Sequence, residues 1–329
     1  MNNKTYKTLF FGTPDFAVPT LETLIAIPEV ELLAVFTQPD KPVGRKQTLT
    51  PPPVKVTAQK NNIPVFQPEK LKTKEFEEQL KKISPDVCLV AAYGKIISSK
   101  LLDIPKHGWL NVHGSLLPKY RGASPIQGAI LNGDEKTGVT LMKIDAGLDT
   151  GPIISQKSID IEPSENFQTL HDKLSRLGAE LIRKSLLNYL DGKLKPQQQN
   201  NNLATETKII AKEDGRINWK QSATQIERQI RAYTPWPGTY CFWSRNTRNE
   251  QKELTNSHIE LRLKIIEAVV SSDTTILPPG QIKQTNDVIT VGCGQGNLEL
   301  KKIQLEGKRV QIILDFLKGH PEFGQTQLT

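Results

Sequence analysis

Residues 6–12, Tyr-Lys-Thr-Leu-Phe-Phe-Gly, form a β-prone run rich in apolar and aromatic side chains that stops at a glycine. Residues 16–27 carry helical spacing, and a second apolar run follows from Glu31 to Thr37. Strand, helix and strand at this spacing predict a βαβ unit, and βαβ units build a parallel sheet. The alternation then continues. A helix is predicted near 54–61, a strand over Ile63-Pro-Val-Phe66, a charged helix over 73–82 and a buried strand over Val87–Ala92. Trp109–Val112 reads as the next strand, 124–132 as a helix, and Val139–Ile144 and Ile153–Ile161 as later strands. Leu170, Leu174, Leu177 and Leu181 mark one apolar stripe on a long helix from Phe167 to Leu190. The first 190 residues therefore read as an α/β domain with a Rossmann-like, mostly parallel sheet. Ligands of such sheets lie beyond the carboxyl ends of the strands.

The texture changes at Asp191. Residues 191–202 are polar, low in complexity and without period, which predicts an interdomain linker over 191–208. Beyond it, one helix over 222–233 precedes short strands at Ile259–Ile266, Gly280–Lys283, Val288–Val291 and Leu298–Ile303, separated by Pro-Pro-Gly and Gly-Cys-Gly-Gln-Gly. Short strands broken by turn signals predict a small β-barrel over 209–320. Residues 246–256 read as an exposed hairpin insertion, and 321–329 as a disordered tail. A length of 329 residues suits two domains, each with its own core.

No run approaches the roughly 18 apolar residues of a membrane span. The chain enters a strand at Thr8 without a signal-peptide hydrophobic region, so a cytoplasmic protein is expected. Cys88, Cys241 and Cys293 are too few and too scattered for a disulfide framework or a zinc site, and no metal is expected. The net charge of +8 permits a polyanionic partner. It splits evenly, because residues from Leu190 onward hold 19 basic against 15 acidic side chains and the rest hold 24 against 20. Charge therefore assigns nucleic-acid binding to neither half.

The chemistry concentrates in Trp109-Leu-Asn-Val-His-Gly-Ser-Leu-Leu-Pro-Lys-Tyr-Arg-Gly122 and Asp145-Ala-Gly-Leu-Asp-Thr-Gly-Pro152. Residues two apart on a strand face the same side, so Asn111 and His113 project together. Asp149, in a glycine-punctuated loop, can supply a carboxylate, with Asp145 the weaker candidate. An amide, an imidazole and a carboxylate can stabilise an oxyanion and move a proton without a covalent intermediate. The loop Gly12-Thr-Pro-Asp-Phe16 sits where a phosphate loop would sit, yet lacks Gly-x-Gly-x-x-Gly, and Pro14 removes a backbone donor. Nucleotide binding is rejected there. Lys41, Arg45, Lys46 and Lys55 stand against one acid, Asp40, in a proline-rich stretch.

Asn-x-His-Gly-Ser-Leu-Leu-Pro-x-x-Arg-Gly followed by Leu-Asp-x-Gly resembles the signature of formyltransferases that use 10-formyltetrahydrofolate. Phe10–Phe16, Phe36–Arg45 and Arg231-Ala-Tyr-Thr-Pro-Trp-Pro-Gly238 resemble the methionyl-tRNA branch of that family in particular. The resemblance implies a formyltransferase fold with an OB-like C-terminal barrel that binds tRNA. It implies transfer of a formyl group from the folate to the amine of methionyl initiator tRNA, with no metal. Asn111, His113 and Asp149 would be catalytic. Ser115, Leu116, Leu117, Pro118 and Gly122 would bind the folate, and Lys41, Arg45, Lys46 and Lys55 the tRNA. A monomer is expected. Arg121 either is structural or reaches an anionic tail. Arg216, Arg228, Arg231, Lys301, Lys302, Lys308 and Arg309 are further tRNA candidates, while Trp219 and Trp236 read as packing residues. The nearest rival is a nucleotide-sugar N-formyltransferase with the same trio, which has no need of a basic loop after Thr37-Gln-Pro-Asp40. A glycinamide ribonucleotide transformylase lacks the second domain, a formate-releasing hydrolase module lacks its downstream partner here, and a non-catalytic nucleic-acid binder has no use for the trio.

Overall fold

A computed structural model describes residues 4–44, 46–247 and 257–329. It divides into two compact units. The first comprises residues up to Ile126 together with Glu135–Ile161 and Thr169–Lys208. The second comprises Gln127–Asp134, Glu162–Gln168 and Ile209–Thr329.

In chain order the first half carries β1 (Tyr6–Gly12), α1 (Val18–Ile25), β2 (Val30–Phe36), β3 (Lys41–Val43), β4 (Thr48–Thr50), α2 (Pro53–Lys60), β5 (Val65–Phe66), α3 (Lys74–Ile83) and β6 (Val87–Ala91). It continues with α4 (Ser99–Leu102), β7 (Trp109–His113), β8 (Arg121–Gly122), α5 (Pro125–Asn132), β9 (Lys136–Lys143), β10 (Ile153–Asp160), α6 (Phe167–Leu190) and β11 (Glu206–Thr207). Seven strands make the central sheet in the order β10-β9-β7-β6-β1-β2-β5. Neighbours from β7 to β5 run parallel, while β9 and β10 are antiparallel additions. The expected mostly parallel sheet is what forms.

The central strands are continuous apolar runs because both faces are covered. Leu9, Phe10, Phe11 and Val87–Val90 are all buried. On one side Phe11 stacks on Phe36 with ring centroids 4.5 Å apart and meets Trp109 at 4.7 Å. The Trp109 indole donates to Leu101 O at 2.7 Å, so its buried N–H is satisfied. Against β7 lies Gly178 of α6, where a Cβ would come within 2.8 Å of Val112 Cγ1. A glycine there lets α6 approach the strand that bears Asn111 and His113.

Two expectations need correction. Residues 191–208 are not a free linker. Gln197 exchanges both backbone hydrogen bonds with Ile153 at 2.8 Å, and β11 pairs in parallel with β8. An amide-rich stretch without apolar period can still be ordered through its backbone and side-chain donors, which periodicity does not register. The tail is ordered too. Phe242 and Thr329 exchange backbone hydrogen bonds, Leu328 N–H donates to Gly280 O, and the Leu328 side chain is buried. Two apolar anchors in a polar stretch, Phe323 and Leu328, hold it.

The second unit carries α7 (Ala223–Tyr233), β12 (Thr239–Thr247), β13 (Ser257–Val270), β14 (Ile282–Thr285), β15 (Val288–Gly292), β16 (Asn297–Leu305), β17 (Gln311–Ile312) and α8 (Ile313–Gly319). Its antiparallel sheet runs β12-β13-β16-β15-β14, with β17 on β16. Among the described residues no strand-to-strand ladder joins β12 to β14, so the sheet path is open. The core gathers Trp219, Ile226, Ile230, Trp243, Leu263, Ile265, Leu300, Phe316 and Phe323. Ser222 caps α7 in a reciprocal capping box with Gln225. Most of the expected insertion at 246–256 lies outside the described residues. Among the described residues, no helix is long and apolar enough to cross a membrane.

Candidate active site

Strand β7 runs one residue further than its apolar pattern suggests, so His113 itself pairs across to Thr140 of β9. Asn111 and His113 stand two apart at the carboxyl end of this strand. Asp149 meets them from the loop after β9. That loop is shaped by Asp145, whose Oδ1 accepts the Gly147 N–H at 3.0 Å and the Thr150 hydroxyl at 2.7 Å. Gly151 is required by close approach, since a Cβ there would lie 1.9 Å from Lys143 O. Asp145 is thus a turn former, and Asp149 is the carboxylate presented to the site.

Asp149 Oδ2 accepts the Gly122 N–H at 2.8 Å and lies 3.6 Å from His113 Nδ1. Its Oδ1 is 3.4 Å from Asn111 Nδ2, a long contact. His113 Nε2 is 2.9 Å from Tyr120 O. A carbonyl only accepts, so Nε2 carries the proton, and Nδ1, beside the carboxylate, is the nitrogen free to exchange one. The imidazole is only 6% exposed and the carboxylate 16%, which shields the pair from bulk water. The three predicted catalytic side chains therefore converge, with the Gly122 N–H as a fourth member.

The five residues expected to bind folate divide. Ser115 and Leu117 are buried, while Leu116, Pro118 and Gly122 are half-buried and offer surface. Ser115 Oγ donates to Lys119 O at 2.6 Å. Leu117 N–H goes to Thr140 Oγ1 at 3.1 Å, and Leu117 O accepts from Gln156 Nε2 at 2.9 Å. These groups hold the loop. Gly122 has φ +103°, and a Cβ there would be 2.5 Å from Thr207 O.

Arg121 is buried and structural. Its Nε and Nη2 both donate to Gln199 Oε1, at 3.1 and 2.8 Å, and Nη2 also reaches Asn201 Oδ1 at 2.8 Å. Gln199 Nε2 in turn donates to Asp149 O and Gly151 O, each at 2.8 Å. Residues 199–207 thus border the site, and nothing in their polar, periodless composition points to it.

The basic stretch forms a small exposed hairpin, β3 paired with β4. Arg45 lies outside the described residues. Lys46 is exposed at the turn, and Lys41 reaches Gln38 Oε1 at 3.2 Å. Lys55 does something else. Its ammonium donates to Asp40 Oδ1 at 2.8 Å, Asp40 Oδ2 at 2.9 Å and Gln67 Oε1 at 2.8 Å. The Lys55 hydrogen bond, followed by that of Gln67, holds the Asp40 carboxyl below its ordinary range. Lys55 fixes the root of the hairpin instead of lending it a free charge.

In the second unit Lys301 pairs with Glu299, Lys302 with Glu267 and Arg231 with Glu227. Arg216 lies over the Phe242 ring with its guanidinium carbon 5.4 Å from the centroid. Arg228 donates to Asn132 O at 3.2 Å, and Lys308 and Arg309 are exposed. Trp219 is buried as expected, but Trp236 is 50% exposed and is not a core residue. Prolines on both sides of Trp236 hold it in a surface turn. Among the described residues no cluster of three or more His, Cys, Asp or Glu could hold a metal.

Comparison with known proteins places this geometry. The formyl transferase family model matches residues 6–186, and the formyl transferase C-terminal domain matches 209–321. A methionyl-tRNA formyltransferase of Geobacter sulfurreducens is 43% identical over 314 residues, covering 95% of this chain and 93% of the relative. One from Myxococcus xanthus is 44% identical over 314 residues, covering 95% of each. Among solved structures, an N-formyltransferase from Helicobacter canadensis in complex with folinic acid and dTDP-3-aminofucose aligns with a TM-score of 0.62 at 22% identity. That alignment covers 90% of this chain and 99% of the other. HypX from Aquifex aeolicus in complex with tetrahydrofolic acid aligns at 0.59 and 13%, covering 95% of this chain and 47% of the other. At those identities the two structures speak to the fold alone.

Proposed function

This chain belongs to the methionyl-tRNA formyltransferase family of formyl transferases, and we propose how its own residues carry the reaction. The donor is 10-formyltetrahydrofolate and the acceptor is the α-amino group of methionine on initiator tRNA. The neutral amine attacks the formyl carbon, and a new C–N bond forms. The carbonyl oxygen becomes an oxyanion, the bond from the formyl carbon to folate N10 breaks, and tetrahydrofolate leaves. One proton departs from the amine and one is delivered to N10.

Asn111 Nδ2 is the donor for the developing oxyanion. A donor oriented before charge develops is worth about 10²–10³ in rate. His113 accepts and returns a proton at Nδ1, with Asp149 beside it to stabilise the imidazolium form. The Gly122 N–H at 2.8 Å keeps the Asp149 carboxylate oriented when that charge changes. Leu116 and Pro118 would supply apolar surface to the pterin, and Arg45, Lys46 and Lys41 would meet the acceptor stem of the tRNA. We place the enzyme in the cytoplasm as a monomer. An OB-like barrel remains our reading of the C-terminal unit. It is supported by residues 326–329, which hydrogen-bond to Phe242 of the edge strand β12, to Ile282 of the other edge strand β14 and to Gly280 just before it.

The convergence of Asn111, His113 and Asp149 carries this reading. Near full-length likeness to methionyl-tRNA enzymes favours tRNA over an amino-sugar acceptor. Replacing Asn111, His113 or Asp149 by Ala should cut kcat by at least about 100-fold with the fold intact. A folded Asp149→Ala protein with normal turnover would remove that residue from the mechanism.

A further inference from the structure

We propose that Gln199 is a positioning residue for formyl transfer: its side-chain amide fixes the backbone at Asp149 and at Gly151 and so keeps the carboxylate between Gly122 and His113. The inference rests on the assignment of Asp149 as the catalytic carboxylate. Asp149 sits at φ +52°, the left-handed region, which costs a non-glycine residue on the order of 1 kcal/mol and persists only where the surroundings enforce it. The enforcing contacts are few and identifiable. The two N–H groups of Gln199 Nε2 are matched to two carbonyls, Asp149 O and Gly151 O, each at 2.8 Å.

The orientation of the Gln199 amide follows from chemistry. Arg121 has only donors, and it presents Nε and Nη2 to one atom of Gln199 at 3.1 and 2.8 Å. That atom must be the oxygen. The nitrogen must then face the two carbonyls, which only accept. Charge-assisted donation from a buried guanidinium makes this lock stronger than one between neutral groups. The next residue in the chain, Gly122, donates the N–H that holds Asp149 Oδ2. Arg121 and Gly122 thus grip Asp149 from two directions, one through Gln199 and one directly. Both are held in turn by β11, whose Thr207 hydroxyl donates to Arg121 O at 3.0 Å. The segment 199–207 therefore acts as a strap that sets the catalytic loop.

Gln199→Glu separates positioning from folding. The new carboxylate keeps an acceptor for Arg121 and gains an ion pair, so the protein stays folded. It loses both donors to the Asp149 loop and sets an anion against two carbonyl oxygens. The expected result is an unchanged melting temperature, a kcat lower by on the order of 100-fold, and KM values for both substrates within about 3-fold. Gln199→Ala should lower kcat similarly. In an Asp149→Ala background it should cost no further activity, because a residue acting through Asp149 has nothing left to position. Gln197→Ala, whose native contacts to Ile153 are backbone only, should behave as wild type. Wild-type kcat in Gln199→Glu, or an equal loss from Gln199→Ala with and without Asp149, would overturn the proposal. If Asp149→Ala alone were fully active, the site assignment itself would fall; if it were slow and Gln199→Glu fast, only this inference would.

Discussion

Gly122→Ala tests the anchoring of the catalytic carboxylate through the backbone, without touching a side chain of the trio. Gly122 has φ +103°, a conformation that costs a residue with a Cβ roughly 1–3 kcal/mol. The added methyl would also sit 2.5 Å from Thr207 O, a backbone atom with no rotamer to change. Strand β8 must shift away from β11, taking with it the N–H that lies 2.8 Å from Asp149 Oδ2. A hydrogen bond to a charged group contributes about 1.5–3 kcal/mol. If it is fully present in the transition state, its loss lowers kcat by about 10- to 150-fold at 1.36 kcal/mol per decade. The strain is smaller than the ~5–15 kcal/mol stability of a typical domain, so the variant should remain folded at 25 °C. The assay is single-turnover formylation with both substrates saturating, beside a thermal melt. A folded Gly122→Ala protein with the wild-type single-turnover rate would refute the claim that this N–H orients Asp149.

Lys55→Met should loosen the basic hairpin by removing the ammonium that ties both Asp40 oxygens to α2, leaving the Gln67 amide as their remaining tie, and cleavage by trypsin at Lys46 should then accelerate at neutral pH. The Asp40 carboxyl is held low in the folded chain, so its ion pair is fully present above the ordinary carboxylate range. In the wild type it is lost only as pH falls through the lower folded value, and an acid-stable protease should therefore find the hairpin protected at pH 5 and less so only at pH well below the ordinary carboxylate range. Equal cleavage of the two proteins at neutral pH would dissociate the clamp from the hairpin. Burial raises the thiols of Cys88 and Cys241, and pushes that of Cys293 up to about 12. All three should resist alkylation at pH 8 and react only on unfolding, as counted by mass spectrometry.

Elements with a long period were legible from residues alone. The βαβ opening and the helix over 167–190 declare themselves because each buries a face at regular spacing. The short strands β3, β4, β8 and β11 have neither a period nor an apolar run to read, so the β3–β4 hairpin and the β8–β11 pairing do not emerge from the sequence. The site was half legible. Asn111 and His113 share a face because of strand geometry, but the contribution of Asp149 depends on a loop set by Asp145, Gly151 and Gln199. Gln199 itself lay in a stretch that composition marks as linker. Its importance comes from two carbonyls and one buried arginine, partners that no local pattern announces. Lys55 shows the reverse error, since a basic residue in a basic stretch looks free until its carboxylate is found 2.8 Å away. Trp236 shows another, because an aromatic between prolines has no period that would tell core from surface.

The central claim is best tested by supplying the purified protein with 10-formyltetrahydrofolate and, in parallel, methionyl initiator tRNA, methionyl elongator tRNA, an amino-sugar nucleotide or water alone. Selective formylation of the initiator tRNA is the predicted result. Formylation of the sugar, or release of formate without an acceptor, would leave the trio in place and contradict the assignment of its substrate.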